Sequence, residues 1–474
     1  MTRRAAPGSR VAGRWTLPFL PFASFLAACS DRASLEVPAD TPVVLVVIDT
    51  LRADRLGCYG CPLETSPVLD AFAERAFVFE ANSTQLNSTF GSLTSIFTGL
   101  YPKSHQMFLP VPTEAALASA PDGVSLTERL ASRGDHRLGV VSHPSFAETD
   151  PRAIVMRGWD AFSVIDPTRP IRERIFCAHG GDTNARLLPR LDEAIEAAGD
   201  GPLFVFAHYF DPHTERFDLV YDAPEETRNL FLRHHLAEVG REEVHDELAA
   251  LPPMERPEWI REHAEGTNDL RLANGRALYD AEIRSCDRHV GTFFDRLRER
   301  GLFDRALIVV MADHGENLGH VGRPPRAAAF THQRLFEGVV HTPLMIKLPH
   351  QREGARIPAI TQNVDVLPTL VELLGLPEAP PADGKSLVPL LAGEARAVHD
   401  LVFMESSDGL ERAVRTDAFK LIDPGDGRSP MLFRWRDDPM ERNDVRDEVD
   451  PENLRRLADA LETFTPTTGT FVRL

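Results

Sequence analysis

The stretch TPVVLVVID, residues 41–49, is a nearly unbroken β-branched apolar run that ends on an acid. Such a run marks a strand buried on both faces, as in a parallel sheet covered by helices. Four similar runs follow: RLGVVSH (137–143), PLFVFAHY (202–209), ALIVVMAD (306–313) and TPLMIKLP (342–349). Helical patterns lie between them: SPVLDAFAERAF (66–77), ARLLPRLDEAIEAA (185–198), ALYDAEIRSCDRHVGTFFDRLRER (277–300) and VDVLPTLVELLG (364–375). Strand and helix in alternation predict an α/β fold, a doubly wound and mostly parallel sheet flanked by helices.

The pattern changes at both ends and once in the middle. Residues 216–275 are rich in Glu, Arg, His and Pro and read as a partly helical insert between a strand and the next helix. From about residue 385 come four short strand-like runs, DLVFMES, LERAVRT, FKLIDPG and MLFRWRD, and then the amphipathic ENLRRLADALETF. These predict a small antiparallel sheet with one helix over 385–474, following a main domain over 42–384. The start, MTRRAAPGSRVAGR, is basic. A short apolar run follows and ends in Leu-Ala-Ala-Cys, residues 26–29. Residues 1–29 are expected to be a lipoprotein-type signal peptide with Cys29 as the lipidated residue. Residues 30–41 would be a tether, and the chain would be exported and lipid-anchored in a bacterial cell envelope.

With 474 residues the chain is long enough for a large domain and a smaller one. Lys+Arg number 52 and Asp+Glu 71, a net charge of -19, which argues against nucleic acid or an anionic membrane surface as the main partner. A membrane is expected only through the N-terminal lipid. Cys58 and Cys61 have the CxxC spacing, but no second CxxC accompanies them, so packed or bridged cysteines are expected there.

In open α/β sheets the site lies beyond the carboxyl ends of the strands. The first strand leads to Asp49, the 202–209 strand to His208, Asp211 and His213, and the 306–313 strand to Asp313 and His314. Acids and histidines converging from strand ends predict a cation site. A cation of this kind works beside an oxygen nucleophile and an anionic group. NSTFGSLTSIFTGLYP, residues 87–102, supplies hydroxyls just ahead of a helical turn. An N-cap role and anion binding at a helix start are both open to them. Local pattern does not separate Ser88, Thr89 and Ser92.

DTLRADRLGCYG, TSPVLDAFAERAFVFEAN, TSIFTGLYPKSH, FVFAHYFDPHT, YDAEIRSCDRHVG, MADHGENLGH, TPLMIKLP and AVRTDAFKLI occur in this order. Together they resemble the sulfatase family of the alkaline-phosphatase superfamily, over about residues 42–465. The resemblance places the nucleophile at Thr89, by counting back from Thr98-Gly99. Gly91 then stands where the family has Pro, Ser92 is kept, and Leu93 replaces Arg. Threonine cannot become the formylglycine that sulfatases make from Cys or Ser. It is, however, the nucleophile of related phosphodiesterases and phosphoethanolamine transferases.

By resemblance, one divalent metal ion would be held by Asp49, Thr89, Asp313 and His314. Thr50 stands where a typical sulfatase has a second metal Asp, and His314 where many have Asn, so Zn²⁺ or Mn²⁺ is favoured over Ca²⁺. His213 would contact the substrate oxyanion or leaving group. Arg52 is either an oxyanion clamp or a salt-bridge partner. His332 matches a position near metal or substrate, and His208 and Asp211 match supporting positions. His143 stands where many sulfatases have a Lys and His; the Lys is missing, and a packed histidine is expected.

The resulting expectation is a metal-dependent hydrolase of sulfate or phosphate esters, with Thr89 tilting toward phosphoryl transfer. Its substrate would be a small anionic ester, such as a sulfated glycan or a phospholipid-derived group. The alternatives are a true sulfuric ester hydrolase working without formylglycine, and a non-catalytic glycan-binding lipoprotein on the same scaffold. The leader gives the first testable outcome: Cys29→Ser moves the protein from the membrane to the soluble fraction on fractionation. Retention in the membrane refutes the lipid anchor.

Overall fold

A computed structural model of the chain describes residues 37–108, 124–164, 179–213, 221–263, 267–319, 330–377 and 382–464, with single positions at 35, 113, 114 and 117. The expected leader with Cys29, half of the tether and the start of the insert lie outside the described residues. Strands β1 Val43–Ile48, β2 Phe77–Ser83, β3 His136–Val141, β4 Ala161–Val164, β5 Leu203–Tyr209, β6 Leu307–Ala312, β9 Leu344–Lys347 and β10 Ala355–Gln362 form one sheet. Their order is β10-β2-β9-β6-β1-β5-β3-β4. A two-stranded ribbon, β7 Asn317–Leu318 with β8 Phe330–Thr331, lies between β6 and β9 in the chain.

The apolar run that opened the sequence is the centre of the sheet. All six β1 residues are buried, and β1 pairs in parallel with β5 on one side and β6 on the other. Burying each such side chain contributes about 1.5–3 kcal/mol. Helices α1 Pro67–Ala73, α2 Thr89–Thr98, α3 Gly180–Ala198, α4 Thr267–Glu299 and α5 Val366–Leu373 accompany the sheet. Val44, Val46 and Ile48 pack with Leu187 and Leu191 of α3 and with Phe293 and Phe294 of α4. On the opposite face Phe97 of α2 meets Phe206 of β5, ring centroids 5.0 Å apart. Only β9 runs antiparallel to its neighbours, β6 and β2.

Three departures from the expected elements have local causes. The helix expected over 66–77 stops at Ala73, because β2 begins at Phe77 and needs the chain extended. β10 went unread because Pro358 interrupts its pattern and the pairing with β2 shifts register between Ile357 and Ile360. As an edge strand it tolerates the missing N–H. The long helix α4 begins at Thr267 rather than at 277, so the described part of the insert is short helices over 232–263.

The C-terminal strands β11 Val402–Glu405, β12 Arg412–Arg415, β13 Lys420–Asp423 and β14 Met431–Phe433 form an antiparallel sheet in sequence order. Leu457 and Leu461 of the closing helix α6, Pro451–Thr463, pack with Val414, Leu421 and Leu432. The other face, through Met404, Ala413 and Ile422, packs on Phe336, Val339 and Val340 of the main body.

A buried ionic cluster joins the two parts. Lys420 Nζ lies 3.0 Å from Glu337 and 3.0 Å from Glu441, and Arg415 donates to Ser83 Oγ at 2.7 Å while stacking over Trp435. Burial pushes the Glu337 carboxyl up, but Arg415 and Lys420 outweigh it and hold it at about 2. That depressed value stabilises the fold above the ordinary carboxyl value of 4.5, and the contribution is lost as pH falls toward 2. Lys420→Met leaves two buried carboxylates under-neutralised and is expected to cost about 3–5 kcal/mol in urea denaturation at neutral pH. An unchanged midpoint refutes the role given to the cluster.

Candidate active site

β1 and β6 are adjacent and parallel, so the residues that follow them emerge side by side. These are Asp49 and Asp313, both fully buried. Thr50 turns the chain away with φ 53, a left-handed conformation that a β-branched residue seldom adopts. The turn aims the Thr50 N–H at Asp313 Oδ1 at 3.2 Å, and Tyr279 Oη donates to the Thr50 carbonyl at 2.7 Å. His314 follows, its Nδ1 2.9 Å from the Gly315 carbonyl, which leaves Nε2 toward the acids.

Thr89 is the first residue of α2, with Ser88 at the N-cap. The helix therefore starts earlier than the hydroxyl-rich sequence implied. Thr89 Oγ1 lies 3.4 Å from each Asp49 carboxylate oxygen and 3.3 Å from His314 Nε2. The Ser88 side chain makes no cap hydrogen bond, and the first N–H groups of a helix lack intrahelical partners. Ser92 faces inward and donates to the Asp313 carbonyl at 2.7 Å, tying the helix to the β6 loop. At Gly91 a Cβ would sit 2.1 Å from Leu86 Cδ2, so this turn admits no side chain as packed.

Histidines surround these groups. The His332 ring centroid is 4.6 Å from His314 and 5.5 Å from His213, and His143 is 5.8 Å from His213. One ligand atom each from Asp49, His143 and His213 lie within 4.8 Å of one another, and so do those of Asp49, His208 and Asp313. His143 Nδ1 accepts the Ser145 N–H at 3.2 Å, so Nε2 carries the hydrogen of the neutral ring. Sequence reading placed His143 in packing; its position after β3, two residues beyond the strand end, was the available signal.

Two other expected residues are engaged elsewhere. Arg52 is buried and bonds Asp54 through Nε and Nη2 at 2.8 and 2.7 Å, and the Glu316 carbonyl through Nη1 at 3.0 Å. Of its two expected roles, the salt bridge is the one the geometry displays. Asp211 accepts from His179 Nδ1 at 2.8 Å and from the Gly180 N–H at 2.5 Å.

The donor set suits a cation. Asp313 Oδ2, Thr50 Oγ1 and both His208 ring nitrogens are buried without hydrogen-bond partners among the described residues. Burial and then the neighbouring Asp313 push the Asp49 carboxyl well above its usual range. Burial likewise raises Asp313 to about 7 and lowers His314 to about 4. Two carboxyls that resist ionising together and a neutral imidazole are what a divalent ion relieves. Such a centre beside a hydroxyl at a helix start can activate an oxygen nucleophile against an anionic ester.

Residues 41–376 match the family model described as Sulfatase, and residues 327–465 match that of the N-sulphoglucosamine sulphohydrolase C-terminal region. The chain is 33% identical over 201 residues to a choline-sulfatase of Rhizobium meliloti, covering 40% of this chain and 37% of that protein. The match thus spans little more than a third of the length of the first curated relatives. Among solved structures, a protein in complex with its substrate D-glucosamine-2-N,6-O-disulfate superposes with TM-score 0.69 at 17% identity, covering 89% and 97% of the two chains. The phosphonate monoester hydrolase of Agrobacterium radiobacter gives 0.64 at 20% identity, covering 89% and 95%.

Cation binding must displace the proton that the raised carboxyls hold. Zn²⁺ titration by calorimetry in two buffers is expected to show proton release below about pH 7, with affinity rising as pH rises to the value reached by Asp313 and levelling above it. Affinity independent of pH over that range refutes the shared-carboxyl site.

Proposed function

The chain belongs to the sulfatase family, and on that premise we propose that it is a metal-dependent ester hydrolase with Thr89 as nucleophile. The observation that carries this reading is the position of Thr89 Oγ1, at the start of α2 and 3.3–3.4 Å from Asp49 and His314. Asp49, Asp313, His314 and Thr89 would hold a divalent cation, which would supply charge neutralisation and acidify the Thr89 hydroxyl. Histidine among the ligands favours Zn²⁺ or Mn²⁺ over Ca²⁺.

Thr89 Oγ1 loses its proton to the Asp49 side and attacks the phosphorus or sulfur of the ester in line. The open N–H groups at the start of α2 hold the developing charge on the equatorial oxygens. His143, with Nε2–H as donor, and His332 position those oxygens. As the bond to the leaving oxygen breaks, His213 gives that oxygen a proton. Water then attacks the Thr89 ester and gives one proton to His213, while the proton held on the Asp49 side returns to Thr89 Oγ1 as its bond to phosphorus or sulfur breaks.

The identity of the nucleophile favours phosphoryl chemistry. A threonine ester has no aldehyde hydrate through which to expel sulfate, so attack at the central atom must release it. Phosphate and phosphonate esters follow that course readily. Sulfate-ester hydrolysis is the second reading, supported by the local identity with a choline-sulfatase. The insert and the C-terminal loops would select the substrate, a small anionic ester such as a sulfated glycan. Export and a lipid at Cys29 are part of the same proposal; no helix among the described residues is long and apolar enough to cross a membrane.

Nitrophenyl sulfate, phosphate, phosphate diester and phosphonate ester, assayed with Mn²⁺, Zn²⁺ or Ca²⁺, test the reading. Thr89→Ala is expected to lower kcat/KM by about 10,000-fold or more. Thr89→Ser, which keeps a hydroxyl, retains measurable turnover. Full activity in Thr89→Ala refutes the nucleophile; inactivity on the whole panel with no bound metal points to a binding protein on this scaffold.

A further inference from the structure

His208 sits in β5 with its side chain fully buried. It is the one strongly polar residue of LFVFAHY, and it lies among the rings of Phe206 and Phe146, 6.3 and 6.5 Å away. Neither ring nitrogen makes a hydrogen bond among the described residues. Burying an imidazole with both nitrogens unsatisfied costs about 1–3 kcal/mol for each such group. An ordinary core position would hold Leu or Phe instead. Something must meet this ring.

The direction in which it faces shows what. His208 Nε2 lies 3.7 Å from Asp49 Oδ2, too far for a hydrogen bond. Ligand atoms of His208, Asp49 and Asp313 nonetheless fall within 4.8 Å of one another. Neighbouring ligands on an ion with bonds of about 2.0–2.1 Å stand about 2.9–3.6 Å apart in a five-coordinate shell. The separations around Thr89, His314, Asp49 and Asp313 run from 3.3 to 3.9 Å. His208 belongs to the same shell by distance. It is also held there rigidly, since Val47 of β1 and Val141 of β3 are its partners in the sheet.

We propose that His208 Nε2 is a direct ligand of the cation, beside Asp49, Asp313, His314 and Thr89. This rests on the reading of Asp49 and Asp313 as a cation site and adds to it a second imidazole, supplied by the sheet itself rather than by a loop. Two nitrogen ligands bias the centre toward Zn²⁺ and related transition ions and away from Ca²⁺. The orphaned Nε2 of His208 is then satisfied by metal binding instead of by a hydrogen bond.

The full chain, stripped and reloaded with Zn²⁺ or Mn²⁺ alone, is the test material. In Mn²⁺-loaded wild type, pulsed EPR is expected to detect two coordinated imidazole nitrogens, and in His208→Gln one. Zn²⁺ affinity of His208→Gln is expected to fall about 100-fold or more. His208→Leu covers the case in which Gln does not fold. It removes the orphaned nitrogens, so the metal-free variant should melt no lower than metal-free wild type, while the rise in Tm on adding Zn²⁺ shrinks. Unchanged affinity and two nitrogens in His208→Gln overturn the assignment. So does a single nitrogen in wild type, which leaves the Asp49–Asp313 site intact. Wild type that binds no cation overturns both.

Discussion

Two carboxylates buried side by side at the ends of adjacent strands set the terms for everything around them. Asp49 and Asp313 cannot both ionise at low cost in a dry interior. The fold nevertheless fixes them in place from several directions. The strained Thr50 turn points an N–H at one Asp313 oxygen. Ser92 of α2 and Asn363 ahead of α5 both bond the Asp313 carbonyl, at 2.7 and 3.1 Å. Left-handed backbone at a β-branched residue costs of order 1–3 kcal/mol and persists where surrounding structure over-determines it. The register of β1 against β6 and the spacing of the two acids are thus the same fact.

Charge balance at the site follows from that constraint. Arg52 is tied to Asp54, and the Leu93 position carries no cation. Besides the Asp49 carboxyl, the groups around Thr89 among the described residues are neutral imidazoles and backbone N–H donors. Burial keeps His143 and His332 at about 3, far from protonation at neutral pH. Among the described residues an incoming anion would therefore meet oriented dipoles rather than fixed positive side chains, and a bound cation would supply the charge to match it.

Much of this was legible in the sequence because it depends on local signals. Unbroken apolar runs read directly as the central strands β1, β5 and β6, and strand ends delivered Asp49, Asp313 and His314. The four C-terminal strands and α6 fall where the alternation and the amphipathic pattern put them. What escaped depends on contacts distant in sequence. β2 went unread beyond the helix expected to run to Phe77, and β10 was hidden by Pro358 and a register shift. Pattern could not separate Thr89 from Ser88 and Ser92, because only the fold turns Ser92 toward Asp313 and Thr89 toward Asp49. Arg52 reads equally well as clamp or ion-pair partner until Asp54 is seen curling back on it.

The segment leading into α2 is bonded to both halves of the protein. Asn87 donates to the His332 carbonyl at 2.8 Å and accepts the Ser407 N–H at 2.7 Å, while Lys103 pairs with Glu405 at 3.1 Å. The C-terminal sheet is therefore part of the scaffold of the reacting centre and not a detachable module. Recombination that exchanged residues 385–464 between relatives would disturb the helix carrying Thr89 along with the pocket rim. Lineages of this protein should accordingly change specificity by small steps within loops, and inherit the two sheets together.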